Sequence, residues 1–177
     1  MQKVDYADPA YKKINPLGMV PALDIGGSRA MTQANAILQH IAETHPAARL
    51  GADDDALARF EFNETMAFLT GDFHPAYWPM FSPARYTTDK TPAAHNAVRE
   101  AAWPRIDRVM SHLDVLIGTS GHVYRDRRSV ADAYAYVMAR WSVKTPKPYS
   151  EYPHLAAFMT RMDADAAVKR VLTASNA

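Results

Sequence analysis

The apolar positions change their period partway along the chain. From Asn15 to about Thr44 the signals are strand and turn, followed by one helix. Asn15-Pro16-Leu17-Gly18 punctuates the backbone, and Val20-Pro21-Ala22-Leu23-Asp24-Ile25 is a short extended run. Gly26-Gly27-Ser28 is a hairpin signal from which Arg29 to Thr32 returns antiparallel. Ala34, Ile37, Leu38, Ile41 and Ala42 then fall on one face of an amphipathic helix, which Pro46 ends.

Residues 46–55 form a linker whose closing aspartates suit the start of a new helix, since carboxylates satisfy free N–H groups there and complement the positive dipole end. Everything beyond is helical in period. Leu57, Phe60, Phe62, Met66, Phe68 and Leu69 crowd one segment, and the aromatic and proline-rich stretch Phe73 to Tyr86 predicts a looser passage that ends it. A long helix is predicted from about Pro92 to Ile117, bent locally at Pro104. Val130, Ala133, Tyr134, Val137, Met138 and Trp141 make a helix apolar enough to be central. Pro153 opens a further helix, and Val168, Val171 and Leu172 mark the last. The class is α+β, mostly α.

Composition narrows the function classes. A length of 177 residues suffices for one domain or two small ones with a real core. At 48% hydrophobic and 22% charged the chain is globular in type, and no apolar run is long enough to span a bilayer. Twenty Lys and Arg against 19 Asp and Glu leave +1, so the field that gathers nucleic acid or an anionic membrane is missing. There is no cysteine, which excludes disulfides, cysteine-held metals and a thiolate supplied by this chain. Met1 to Tyr6 lacks the apolar core of a signal peptide, and cytoplasm is the expected address.

Two separated motifs carry a resemblance. Ile14-Asn15-Pro16-Leu17-Gly18-Met19-Val20-Pro21-Ala22-Leu23, followed by Met31-Thr32-Gln33-Ala34-Asn35-Ala36-Ile37-Leu38, resembles the glutathione-binding half of cytosolic glutathione S-transferases. Ser129-Val130-Ala131-Asp132-Ala133-Tyr134 is similar to the capping box and core helix of the same family's all-helical half, and Phe73-His74-Pro75-Ala76-Tyr77-Trp78-Pro79-Met80-Phe81 is similar to a stretch of bacterial, beta-class-like members. The resemblance implies an incomplete thioredoxin-like glutathione-binding domain over residues 1–46, then an all-helical domain over 47–177. It also implies glutathione as cosubstrate or ligand, a small hydrophobic electrophile, a homodimer, and no metal, nucleic acid or membrane partner.

Residue by residue, the family pattern implies a cis Val20–Pro21 bond that presents the valine N–H and C=O to an extended peptide, as an added strand does. Gln33 and Ala34 open the next helix, whose free N–H groups suit a carboxylate. Many relatives place a serine where Ala34 stands, so one hydroxyl donor is absent and only the backbone N–H remains. For Gln33 alone, a plain helix-start role is equally open. Ser129 and Asp132 are a structural capping box. His74 matches a histidine near the glutathione sulfur and is a candidate auxiliary, although Pro75 replaces a basic neighbour and Ala67 an asparagine of relatives. The competing view of His74 is an ordinary packed residue.

The remaining candidates are weaker. His40 and His45 fall on different helix faces, and His95, His112, His122 and His154 are expected in solvent; no metal-ligand spacing occurs. Tyr77, Trp78, Phe81 and Tyr86 suit core and dimer packing better than a substrate wall. Arg125, Asp126, Arg127 and Arg128 suggest a solvated turn. Only Met1 to Lys13 precede Ile14, resembling the tail of a second strand at Lys3-Val4-Asp5 and its loop. The first strand–helix–strand unit of the thioredoxin-like half, with the family's catalytic Tyr, Ser or Cys, has no counterpart here. The strand after Pro21 is then expected to have its open edge covered by the N-terminal segment or by another chain. Three function classes follow: a transferase, a non-catalytic glutathione or ligand-binding dimeric module, and a helical domain unrelated to glutathione.

Overall fold

The computed structural model describes residues 8–27 and 29–176, so Lys3-Val4-Asp5 and Ser28 lie outside the described residues. Its first element, α1 (Pro9–Ile14), stands where the sequence suggested a loop. Asp8 accepts the Ala10 N–H at 2.8 Å, Pro9 occupies the first turn, and Lys12 and Lys13 sit at the negative dipole end. These end effects favour a six-residue helix that buries none of its side chains. The hairpin is β1 (Ala22–Leu23) and β2 (Met31–Thr32), antiparallel with Ala22 opposite Thr32 and Leu23 opposite Met31. Among the described residues β2 is the sole ladder partner of β1. Among the described N-terminal residues, the Tyr11 hydroxyl and the Asn15 side-chain amide both donate to the Met19 carbonyl in the loop before β1, at 2.7 and 2.6 Å.

The helices follow as α2 (Ala34–Thr44), α3 (Ala56–Ala67), α4 (His74–Phe81), α5 (Pro92–Ile117), α6 (Val130–Ala139), α7 (Pro153–Ala164) and α8 (Ala166–Asn176). Asp55 caps α3 by accepting the Ala58 N–H at 2.8 Å. The expected looseness from Phe73 onward is absent. A π-helical segment, Phe68–Phe73, carries α3 directly into α4, and Pro75 and Pro79 both lie within helix. Each proline removes a backbone donor, and burial of Phe73, Ala76, Tyr77 and Pro79 offsets that cost. α5 continues through Pro104.

The core is built by α3, α4, α5, α6 and α7. Met66, Leu69, Phe73, Met110, Leu113, Met138, Leu155 and Phe158 are all fully buried. Among them lies the Tyr77 ring, whose hydroxyl has no hydrogen-bond partner among the described residues and whose pKa burial pushes up, beyond the ordinary phenol range.

A single carboxylate organises the start of α6. Asp132 is 1% exposed and accepts the Ser129 N–H at 2.7 Å and the Val123 N–H at 2.9 Å. His122, expected in solvent, instead sets its Nδ1 3.3 Å from the same carboxylate. The capping box exists, with the Asp132 arm strong and the Ser129 arm loose, since the buried Ser129 hydroxyl makes no hydrogen bond of ordinary geometry.

The arginine-rich turn is likewise not merely solvated. Arg127 donates to the Arg49 and Gly51 carbonyls and to Asp53, Arg125 bridges Asp53 and Glu61, and Arg128 pairs with Asp165 at 2.7 Å. Arg127 thus satisfies linker carbonyls left without helix partners, while Arg125 and Arg128 pair with carboxylates.

Two substitutions separate the arms of the box. Asp132→Ala leaves two buried N–H groups unpaired and is expected to cost about 2–4 kcal/mol, whereas Ser129→Ala is expected to cost under about 0.5 kcal/mol, less than an ordinary cap. Urea unfolding of both variants measures this; equal losses would contradict the assignment.

Candidate functional site

The hairpin register places two of the sequence-derived pairs side by side. Ala22 faces Thr32, so Val20-Pro21 and Gln33-Ala34 extend from the same end of the ladder. The Val20–Pro21 peptide is cis. Val20 is 53% exposed, and its N–H and C=O take no hydrogen bond from the described residues. Across from it, Gln33 sits at φ 73°, a left-handed backbone that a non-glycine residue adopts only when its surroundings impose it. No side chain caps α2 at Gln33, so the first-turn N–H groups from Ala34 onward face outward with the positive dipole end. The arrangement is a strand-like backbone edge beside an uncapped helix N-terminus, suited to an extended peptide that ends in a carboxylate.

His74 belongs to a different neighbourhood. Its Nδ1 lies 3.0 Å from the Tyr134 hydroxyl, and its ring is 5.1 Å from Trp141 and 6.0 Å from Trp78. None of Val20, Pro21, Gln33 or Ala34 is among its hydrogen-bond or ring partners. Half-burial lowers its pKa from the ordinary 6.5, because desolvation penalises the imidazolium. The neutral imidazole is thereby favoured, with one ring nitrogen an acceptor and the other a donor. Of the neighbouring aromatics, Tyr77 is core while Trp78, Phe81 and Tyr86 stay exposed.

The other histidines do not join this group. His45 closes α2 with Nδ1 at 3.0 Å from the Ile41 carbonyl, and His112 lays its ring edge-on to Phe68. Two clefts stand out among the described residues. One, of about 490 Å³, lies between α2, the linker and α3, and mixes Glu43, Asp54, Arg49 and Arg59. The second, of about 370 Å³, is lined by Phe81 and Trp141 among others. Neither is lined by Val20, Gln33 or His74.

Comparison with known proteins decides the family. Residues 1–49 match the family model described as the glutathione S-transferase N-terminal domain, and residues 72–175 match the one described as the C-terminal domain. The chain belongs to the glutathione S-transferase family. It is 36% identical over 168 residues to glutathione S-transferase GST-4.5 of Xanthomonas campestris pv. campestris, covering 94% of this chain and 80% of that protein. A solved glutathione S-transferase from Xylella fastidiosa superposes with a TM-score of 0.87 at 34% identity, over 98% of this chain and 84% of the other. A sphingomonad glutathione S-transferase complexed with glutathione superposes with a TM-score of 0.81 at 30% identity, over 94% and 78%.

In this transferase the ring cluster around His74 went unforeseen in part. Tyr134 and Trp141 are spaced seven apart on one helical face, a signal the sequence offered, but their meeting with His74 depends on how α4 crosses α6. Tyr134→Phe isolates burial as the cause of the His74 shift. NMR titration is expected to place His74 below 6.5 in both proteins. Since the folded pKa is the lower one, its stability contribution is complete above the unfolded value near 6.5 and is lost as pH falls through the folded value. A His74 pKa restored to 6.5 by Tyr134→Phe would show that the hydrogen bond is the cause.

Proposed function

We propose that this chain binds glutathione against Val20, Pro21, Gln33 and Ala34 and joins its sulfur to an electrophilic carbon. The observation that carries this is the likeness, at 30% identity, to a transferase solved with glutathione, together with the unpaired Val20 backbone beside the uncapped start of α2. The cysteinyl part of glutathione pairs with the Val20 N–H and C=O as an added strand. The γ-glutamyl carboxylate takes the N–H groups at Gln33 and Ala34. Held there, the thiol passes its proton to solvent and its sulfur bonds to the electrophilic carbon, whose leaving group departs with its bonding pair or whose π bond takes up the electrons, and orientation of the two partners supplies much of the rate. The reactive sulfur arrives with glutathione, since this chain has no cysteine.

The reading extends to organisation. The division falls near Pro46, with residues 1–46 as the partial thioredoxin-like domain and 47–177 as the helical one; Pro46 ends α2 and opens the linker. The described N-terminal part corresponds to that domain from α1 and the Asn15-Pro16 turn onward, without the first strand–helix–strand unit. The Phe73–Phe81 stretch favours a beta-class-like member. Leu57 and Phe60, exposed on successive turns of α3, suit a homodimer contact. A second reading, a non-catalytic glutathione-binding module, is favoured by one observation: His74 faces Tyr134 and two tryptophans rather than Val20 or Gln33.

Calorimetry with glutathione and conjugation of a general electrophile, on this chain and on one extended upstream of Met1, separate the two. Binding with turnover supports the transferase, and binding without turnover in both supports the module. Ala34→Ser restores a hydroxyl donor at the helix start and is expected to tighten glutathione binding about two- to tenfold, the value of one added hydrogen bond. An unchanged affinity would remove Ala34 from the site.

A further inference from the structure

We infer that Tyr11 and Asn15 are positioning residues for the peptide-binding edge, holding the Met19–Val20 peptide so that the Val20 N–H faces an incoming cysteinyl carbonyl; this rests on the glutathione-binding reading above. The Met19 carbonyl accepts the Tyr11 hydroxyl at 2.7 Å and the Asn15 side-chain amide at 2.6 Å. Two donors occupy both lone pairs of one oxygen and fix the rotation of its peptide plane. Val20 contributes the N–H of that same unit. Across a trans peptide the C=O and N–H point in opposite directions, and the cis bond among the described residues is the next one along, Val20–Pro21. Clamping the Met19 oxygen toward α1 therefore turns the Val20 N–H away from that helix, where it takes no hydrogen bond from the described residues.

Side-chain burial does not hold this plane. Leu17, Met19 and Val20 are 71%, 53% and 53% exposed, so the loop before β1 lacks the apolar contacts that offset the cost of ordering a backbone. Asn15 supplies polar order instead. It is buried, its N–H donates to the Tyr11 carbonyl at 2.9 Å, its carbonyl accepts the Gly18 N–H at 2.8 Å, and its Oδ1 accepts the Leu17 N–H at 3.2 Å. Tyr11 stands four residues earlier, on the same helical face. α1 thus has a use beyond packing: a helix with no buried side chain carries one donor of the pair and ends on the other. An edge whose plane is set beforehand needs less ordering when a peptide adds to it.

Carbonyl NMR and calorimetry on the whole chain test the pair. A carbonyl carbon's resonance follows the hydrogen bonds its oxygen accepts, so Tyr11→Phe is expected to move the Met19 carbonyl carbon and the Val20 nitrogen without any ligand present. The same variant should bind glutathione about three- to tenfold more weakly, the worth of one hydrogen bond. In conjugation assays the loss should fall on KM for glutathione rather than on kcat, because Val20 meets the peptide backbone alike in the ground state and the transition state. Asn15→Asp keeps the side-chain shape and the acceptor for Leu17 but sets a carboxylate oxygen against the Met19 carbonyl, and should weaken binding further than Tyr11→Phe. Unchanged affinity in Tyr11→Phe despite moved Met19 and Val20 resonances overturns the positioning role and leaves the glutathione reading intact. Weaker binding with both resonances in place rules out the route through the Met19 carbonyl, as does a fall in kcat at constant KM. An unaltered chain that binds no glutathione fails the reading itself, and the positioning role with it.

Discussion

The buried carboxylate of Asp132 is the constraint on which the arrangement depends. Its two backbone donors, Ser129 and Val123, lie on either side of the arginine-rich turn, so one side chain fixes both ends of that loop and the first turn of α6. A charge buried this deeply is tolerable only when its lone pairs are matched, and here they are met by two N–H groups and an imidazole nitrogen. α6 then enters the core with Ala131, Ala135, Met138 and Ala139 fully buried, and it packs against the π-helical segment Phe68–Phe73 and α2.

From that anchored turn the N-terminal part is positioned. The Val130 N–H donates to the Leu50 carbonyl at 2.9 Å, and Arg127 holds two further linker carbonyls and Asp53. The linker is therefore bonded to the start of α6, and α2 packs beside that helix. The Val20 edge and the open end of α2 are carried on a hairpin of only two residues per strand, too small to hold its own geometry. Its stability comes from α2 and, through the linker, from Asp132. Tyr134 on α6 and Trp141 just beyond its end meet His74 of α4, so the ring cluster and the proposed peptide-binding edge both lean on α6.

Much of this was legible in the chain. The hairpin, α2, the 26-residue α5 and the Ser129–Asp132 cap follow from period, turn chemistry and capping rules, which act locally. Membership in the transferase family was carried by motifs around Val20-Pro21 and Ser129-Asp132. α1 was missed because its stability lies in Asp8, Pro9 and two lysines rather than in an apolar stripe. The helix through Pro75 and Pro79 was missed because burial outweighs the lost donors, a tertiary effect. Arg127 and His122 looked like surface charge, and only the fold brings them to linker carbonyls 76 or more residues away and to Asp132. The seating of His74 among Tyr134 and Trp141 depends on helix crossings that spacing alone does not specify.

Amide proton–nitrogen NMR spectra recorded with and without glutathione test the central claim most directly. The account predicts that the largest shifts fall on Val20, Gln33, Ala34 and Asn35, the backbone edge and the first turn of α2, while the α7 and α8 amides stay in place. Shifts confined to residues outside the hairpin and α2, or spectra unchanged by saturating glutathione, would contradict it.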